Sequence, residues 1–405
     1  MKKRVVVTGL GVISSLGKGK KEFWSNLING CSGISYIECF DTSGHETHVG
    51  GEIKDFNPDD FMNKKRSRFM GRASQLAVAA SKLAVADAGL NKNSFSQKKA
   101  GVCVGTTMGE IQVVEKIDHG WIEFGDNFIE KSPVFRSPVY NISANIAIEL
   151  ELKSKNIMFT TACSSGNYAI GYCFELIQSG DMEIALAGGS DAFSWIAFTG
   201  FNKVGVTAPD TCQPFDKNRK GMIPGEGAGI LVLETLESAR KRKANIYAEI
   251  LGHGLSCDAY HMTNPVIAGV EQCMRNALNR ANIKPQEVDY ISAHGTGTVI
   301  NDRTESAAIK NIFQDQKVAV NSIKSMLGHA MGAASAMEAI NCCMSIQTGI
   351  IAPTINFKTP DPECDIDCVP NKARKQKVNV ILNNGFAFGG NNAALVLKKI
   401  NQKGG

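Results

Sequence analysis

The stretch Asn156-Ile-Met-Phe-Thr-Thr-Ala-Cys-Ser-Ser-Gly-Asn-Tyr-Ala-Ile-Gly-Tyr172 decides the fold. Residues 156–160 are an apolar run and read as a short buried strand. Residues 164–179 read as a helix crowded with small side chains: Ser164, Ser165, Gly166, Ala169 and Gly171. Cys163 falls at the turn between them. A cysteine there meets the unpaired N–H groups and the positive end of the helix dipole, both of which favour negative charge. Such a position is expected to lower the thiol pKa and expose a thiolate for attack. The same N–H groups can bind the oxyanion that forms on an attacked carbonyl.

A second stretch mirrors the first. Leu327-Gly-His-Ala-Met-Gly-Ala-Ala-Ser-Ala-Met-Glu-Ala-Ile340 opens another small-residue helix that runs to about Thr348. Both helices end in a polar residue and glycine, Ser179-Gly180 and Thr348-Gly349. The likeness predicts a duplicated α/β unit whose halves each offer one helix N-terminus. If the halves face each other, Cys163 and His329 meet.

Other segments fit this plan. Strands are predicted over 4–11, 100–106, 184–191, 230–234, 247–254, 288–293, 318–322, 378–383 and 393–398. Helices are predicted over 23–29, 73–88, 237–243 and 270–281. The stretch 133–151 is mixed. The Gly-rich loop 215–229 has neither G-K-[ST] nor a strand–GxGxxG–helix order, so nucleotide binding is not supported.

Composition bounds the class. The 405 residues are 43% hydrophobic and 20% charged, as in a compact chain with a large core, and the net charge of +5 does not argue for nucleic acid. The twelve cysteines include no C-x-x-C pair, which suits free thiols in a reducing compartment rather than zinc or disulfides. No run reaches the roughly 18 apolar residues of a membrane span. The expectation is a cytoplasmic protein with no membrane or nucleic-acid partner and no metal. The densest basic run, 62–72, reads as a solvated helix face or as a dock for an acidic partner.

Two of the seven histidines stand directly after or within glycine turns at strand ends: His294 in Ala-His-Gly-Thr-Gly-Thr and His329 in Leu-Gly-His-Ala. A cysteine with a histidine suits acyl transfer, and a second histidine adds a donor for charge on a carbonyl oxygen.

With these residues in place the chain resembles the β-ketoacyl-[acyl carrier protein] synthases of type II systems. The likeness runs from Val7-Thr-Gly-Leu-Gly11 to Phe388-Gly-Gly-Asn-Asn392. It rests on Thr161-Ala-Cys-Ser-Ser-Gly166, Pro214-Phe-Asp-Lys-Asn-Arg-Lys-Gly221 and Pro224-Gly-Glu-Gly-Ala-Gly229. It rests equally on Cys257-Asp-Ala-Tyr-His-Met-Thr-Asn-Pro265, Ala293-His-Gly-Thr-Gly-Thr298 and Asn321-Ser-Ile-Lys-Ser-Met-Leu-Gly-His329.

The resemblance implies an α/β, thiolase-like fold of two α-β-α-β-α layered halves. Residues 1–250 would carry Cys163, and residues 251–405 would carry His294, Lys324 and His329. It implies an acyltransferase that performs a decarboxylative Claisen condensation. Cys163 would hold the acyl chain, and His294 and His329 would stabilise the malonyl enolate. The N–H groups of Cys163 and Phe388 would form the oxyanion hole, and Lys324 and Glu338 would shape the field. Thr296 and Thr298 would bond phosphopantetheine, which arrives on acyl carrier protein; no cofactor would be resident. His261 and Thr263 would line the entrance, Phe388 would gate it, and Phe201 and Met108 would border the acyl chain. Lys64, Lys65, Arg66 and Arg68 would dock the carrier.

The Cys–His–His set separates this chain from relatives that use His and Asn, from thiolases with a second cysteine, and from chain-length factors without the nucleophile. Departures at Gly205-Val206-Thr207, Gly385, Ala387 and Asn391 leave the substrate open. Two pathway readings follow: a homodimer of fatty-acid elongation, or the active subunit of a type II polyketide synthase paired with a chain-length factor. A third reading, from another class, is a non-catalytic scaffold that binds carrier protein.

Overall fold

The computed structural model describes residues 2–96, 98–125, 131–314 and 316–400. Ten strands carry the fold: β1 (Val5–Ser14), β2 (Ala100–Gly105), β3 (Asn156–Phe159), β4 (Ile184–Asp191) and β5 (Gly227–Thr235), then β6 (Ala248–Cys257), β7 (Tyr290–Ser292), β8 (Ala319–Asn321), β9 (Val380–Gly385) and β10 (Asn391–Lys398). They lie in the order β8-β7-β9-β10-β6-β1-β5-β4-β2-β3. In the first five the order is 3-2-4-5-1. In the second five it is 8-7-9-10-6, each number raised by five. The directions repeat too: β2 is parallel to β3 and β4, as β7 is to β8 and β9, and the remaining neighbours are antiparallel. The two sets join where Val5–Val7 of β1 pair with Ala248–Ile250 of β6.

Residue alternation assigns the faces. Ala185, Ala187, Leu231 and Leu233 enter a central core, whereas Ile184, Leu186, Ile230 and Val232 enter an outer one. Ile381, Leu395 and Leu397 share the central core, and Leu382 and Val396 face a third core on the far side. A strand buried on both faces needs apolar residues at every position, and these strands supply them. The result is five layers of the thiolase-like kind.

The helices of interest are α1 (Lys64–Ser67), α2 (Arg72–Asp87), α3 (Ser165–Ser179), α4 (Trp195–Val204), α5 (Ile267–Ala281), α6 (Val299–Phe313), α7 (Lys324–Leu327) and α8 (Ala334–Thr348). Helices α3 and α8 form the middle layer. A Cβ built on Gly166 would lie 2.9 Å from the Ala336 nitrogen and 2.8 Å from Ser335 Oγ. The backbones cross that closely only because residue 166 has no side chain. Asn167 N–H donates to Ser335 Oγ at 3.0 Å, and Asn383 Nδ2 donates to Asn167 Oδ1 at 2.9 Å and to the Ser335 carbonyl at 3.0 Å.

Each central helix begins the same way. A non-glycine residue with positive φ, Ala162 at 48° or Met331 at 49°, leads into a single 3-10 turn, and a left-handed glycine ends the helix. Two expectations change in detail. The strand 156–159 is an edge strand and half-buried, because it ends the sheet and has a neighbour on one side only. The small-residue helix after Leu327 is interrupted, since Gly328 breaks α7 from α8. Helices α4 and α6, and those over Ile111–Phe124 and Asn141–Leu150, were not read from the sequence.

Gly166→Val is expected to destabilise the fold by about 2–3 kcal/mol or more, by forcing the central helices apart. Gly200→Ala, where an added Cβ meets nothing within 4 Å, serves as the control and leaves the urea midpoint nearly unchanged.

Candidate active site

Cys163 lies within the 3-10 turn Ala162–Ser164, two residues before α3 begins, and is 9% exposed. Its sulfur and one ring nitrogen each of His294 and His329 all lie within 4.8 Å of one another. The two imidazoles stand edge to face with centroids 5.3 Å apart. Residues from both halves of the sheet thus converge on one point.

Lys324, at the start of α7, is buried beneath them. Its ammonium donates to the His294 carbonyl at 2.6 Å and to Glu338, and stands 3.4 Å from His294 Nδ1. An ammonium has only protons to offer, so Nδ1 of His294 is the accepting nitrogen and Nε2 carries hydrogen. His329 is fixed in the same way, because the Met331 N–H donates to its Nδ1 at 3.2 Å. Its Nε2 is buried and has no partner among the described residues. Both rings therefore turn an N–H donor toward the site. Burial first, and then Lys324, hold both histidines well below the ordinary imidazole pKa. They are neutral donors at pH 7. Three such groups also have the spacing of metal ligands. Ligation through Nε2 needs hydrogen on Nδ1, however, and on both rings Nδ1 is met by a donor.

The thiol differs from expectation. Burial pushes Cys163 up to about 12, against the pull of Lys324 and of its own N–H. The helix terminus is present, but the loss of water around the sulfur outweighs it. Glu338 is likewise lifted by burial to about 7 and is drawn back by Lys324.

Three buried carboxylates hold this geometry, and the sequence reading missed all of them. Asp191, at the end of β4, accepts from Thr106 Oγ1 and from the N–H groups of Thr107, Met108 and Gly332 at 2.7–2.9 Å. Glu305 accepts from the N–H groups of His294 and Gly295 at 2.9 and 2.8 Å. Asp302 accepts from Phe215 at 2.8 Å and from Gly297 at 3.2 Å. Asp302 and Glu305 are three apart on α6, so they share one face and grip both sides of the 294–297 loop. Two acids at i and i+3 in the helix that follows a Gly-Thr-Gly-Thr loop were the available signal.

A cavity of about 190 Å³ opens onto the three central residues. Thr296, Thr298, His261, Thr263, Phe201 and Phe388 all line it. Thr296 and Thr298 have hydroxyls 2.9 Å apart. Phe201 and Phe388 meet at 6.3 Å across it. Phe388 begins a 3-10 turn, where a backbone N–H has no intrahelical acceptor, and Gly389 and Gly390 follow with φ of 77° and 72°. Met108 does not line this cavity. Its N–H is drawn down to Asp191, which places it on the loop under the α8 mouth. The basic run lies apart on α1 and just after it. Arg66 pairs with Glu149 at 2.7 Å, whereas Lys64, Lys65 and Arg68 are exposed.

Residues 2–239 match the β-ketoacyl synthase N-terminal domain model, and 247–358 match the C-terminal one. The chain belongs to the β-ketoacyl synthase family. It is an enzyme of the acyltransferase class. This β-ketoacyl synthase is 40% identical to the 3-oxoacyl-[acyl-carrier-protein] synthase 2 of Staphylococcus aureus, over 98% of each chain. It is also 40% identical to the enzyme of that name from Synechocystis, again over 98% of each. Among solved structures it is similar to the ishigamide ketosynthase/chain length factor, with TM-score 0.97 and 45% identity over 99% of this chain and 100% of that one. It is similar too to a type II polyketide acyl-carrier protein in complex with its ketosynthase bound to the hexaketide, with TM-score 0.90 and 31% identity over 99% and 100%. No helix among the described residues is long and apolar enough to cross a membrane.

Two outcomes test this site. The rate of Cys163 alkylation by iodoacetamide should rise about tenfold per pH unit from pH 7 to 9, as for a thiol titrating above that range; a plateau near pH 7 would contradict the raised pKa. Asp191→Asn should cost about 2–3 kcal/mol in urea unfolding, because an amide turns a donor toward donors.

Proposed function

We propose that this chain is a 3-oxoacyl-[acyl-carrier-protein] synthase that lengthens an acyl or polyketide chain by two carbons. The observation that carries the reading is the pair of neutral Nε2–H imidazoles facing the same space as the Cys163 sulfur.

In the first step the Cys163 sulfur attacks the thioester of an acylated carrier protein. The carrier sulfur leaves and takes the thiol proton, so the exchange is neutral overall. The N–H groups of Cys163 and Phe388 receive the tetrahedral oxyanion, which compensates for a thiol that burial holds protonated. In the second step malonyl carrier protein enters, its pantetheine hydrogen-bonded by Thr296 and Thr298. Loss of carbon dioxide leaves the bonding pair on the α-carbon as an enolate. The two Nε2–H donors stabilise its oxygen, and they can do so because neither ring is an acceptor there. The carbanion attacks the acyl-Cys163 carbonyl, the Cys163 thiolate departs and regains a proton from water, and a 3-oxoacyl carrier thioester is formed. Lys324 sets the His294 tautomer, the Met331 N–H sets that of His329, and Lys324 with Glu338 sets the field from below. His261 and Thr263 border the entrance, and Phe201 and Phe388 narrow it.

Lys64, Lys65 and Arg68 are the carrier-docking residues of this reading, with Arg66 restrained by Glu149. The partner subunit is a second copy or a chain-length-factor relative. The likeness at 45% identity to a ketosynthase/chain length factor favours the polyketide setting. A scaffold without catalysis has no use for a desolvated Cys–His–His cluster over a buried lysine.

Cys163→Ala should abolish acyl loading, read by mass spectrometry of the intact protein. His294→Ala and His329→Ala should still load acyl groups but lower condensation about a hundredfold or more. Normal condensation by either histidine variant would refute the assigned roles, and an unmodified Cys163 after exposure to acyl carrier protein would support the scaffold.

A further inference from the structure

The cavity over Cys163 is lined at its mouth by Lys220, Val299, Ile300 and Asn301. No aspartate or glutamate among the described residues lines it, and at its floor burial keeps His294 and His329 neutral. Among the described residues Lys220 is the one lysine or arginine that lines it. Its ammonium is exposed and engages no partner among the described residues.

The backbone on either side of Lys220 is fixed. Arg219 turns inward, where it is buried: Nη1 pairs with Asp361 at 2.5 Å, Nε stands 3.8 Å from Asp302, and Nη2 donates to the Val299 carbonyl at 3.2 Å. The mouth is therefore tied to the loop through Arg219. Gly221 has a φ of 153°, and a Cβ there would fall 2.5 Å from the Val206 oxygen. Met222 N–H then donates to Val206 at 2.8 Å and its carbonyl accepts from Ala208 at 2.8 Å. One basic residue of the Arg-Lys pair is spent on structure and the other is held out at the opening.

A single positive charge at the mouth of an otherwise uncharged, largely apolar cavity selects a ligand whose reacting end is neutral and whose far end is anionic. Resting on the reading above, we propose that Lys220 binds the phosphate of the phosphopantetheine arm while the thioester lies at Cys163. The anion could reach Lys220 on a carrier protein or on free phosphopantetheine, and the chemistry recognised is the same.

The test compares S-methyl phosphopantetheine with S-methyl pantetheine, by calorimetry at low ionic strength, on the full chain. Wild type should bind the phosphorylated ligand about three- to fivefold more tightly. Lys220→Gln should erase that ratio, Lys220→Arg should keep most of it, and binding of S-methyl pantetheine should be unchanged in both. An unchanged ratio in Lys220→Gln overturns the proposal. So does weakened use of acyl carrier protein by Lys220→Gln with the ratio intact, because Lys220 would then touch the carrier rather than the arm. If Cys163 fails to load from any thioester while the binding ratio still depends on Lys220, the condensation reading fails and the phosphate assignment stands.

Discussion

The contact on which the structure depends is the crossing of the two central helices at Gly166, Ser335 and Ala336. Each helix has 15 residues, and each presents small side chains at the crossing. Their role is to let two backbones approach within the reach of a single missing methyl group. That approach brings the turn before α3 and the loop before α8 to one place. Cys163 comes from one half of the sheet and His294, Lys324 and His329 from the other. An extra methyl at residue 166 would meet main-chain nitrogen, which cannot rotate away.

A second constraint sits on the first. Lys324 places its ammonium in a region with almost no water, and Glu338 and the His294 carbonyl accept hydrogen bonds from two of its protons. The third is directed at His294 Nδ1. This charge lowers the basicity of both imidazoles and sets the orientation of the His294 ring. The same burial that makes Lys324 effective also suppresses the Cys163 thiolate. In the proposed reaction the site is organised around charge that develops on oxygen rather than charge stored on sulfur.

Much of this was legible in the sequence. The small-residue helices, their twin endings and the glycine-flanked histidines announced the duplicated plan and three of the central side chains. The lysine, its glutamate and the cavity threonines came from family resemblance, since nothing in their spacing alone marks them. Asp191 was not read because it acts on main-chain N–H groups 83–141 residues away in sequence, whereas Asp302 and Glu305 carried an i, i+3 signal that was passed over. The thiol pKa was misjudged because a helix terminus is visible in a sequence whereas the desolvation around it is a property of the packed core. Strand β3 looked buried because its residues are apolar, but its place at the end of the sheet is a matter of topology.

The repeated sheet would be expected to yield two equivalent reaction centres, yet only one has a nucleophile. At the opening of α8 the residue matching Cys163 is Gly332, and its N–H is already claimed by Asp191. The corresponding strand end in the other half is Gly385, which has no side chain; a Cβ built there would lie 3.4 Å from the Ser164 Cα. At one helix mouth the protein's own carboxylate takes the N–H group, and at the other the matching strand end offers no acid. A single acid at the tip of one strand therefore breaks the symmetry that the chain's two halves otherwise keep.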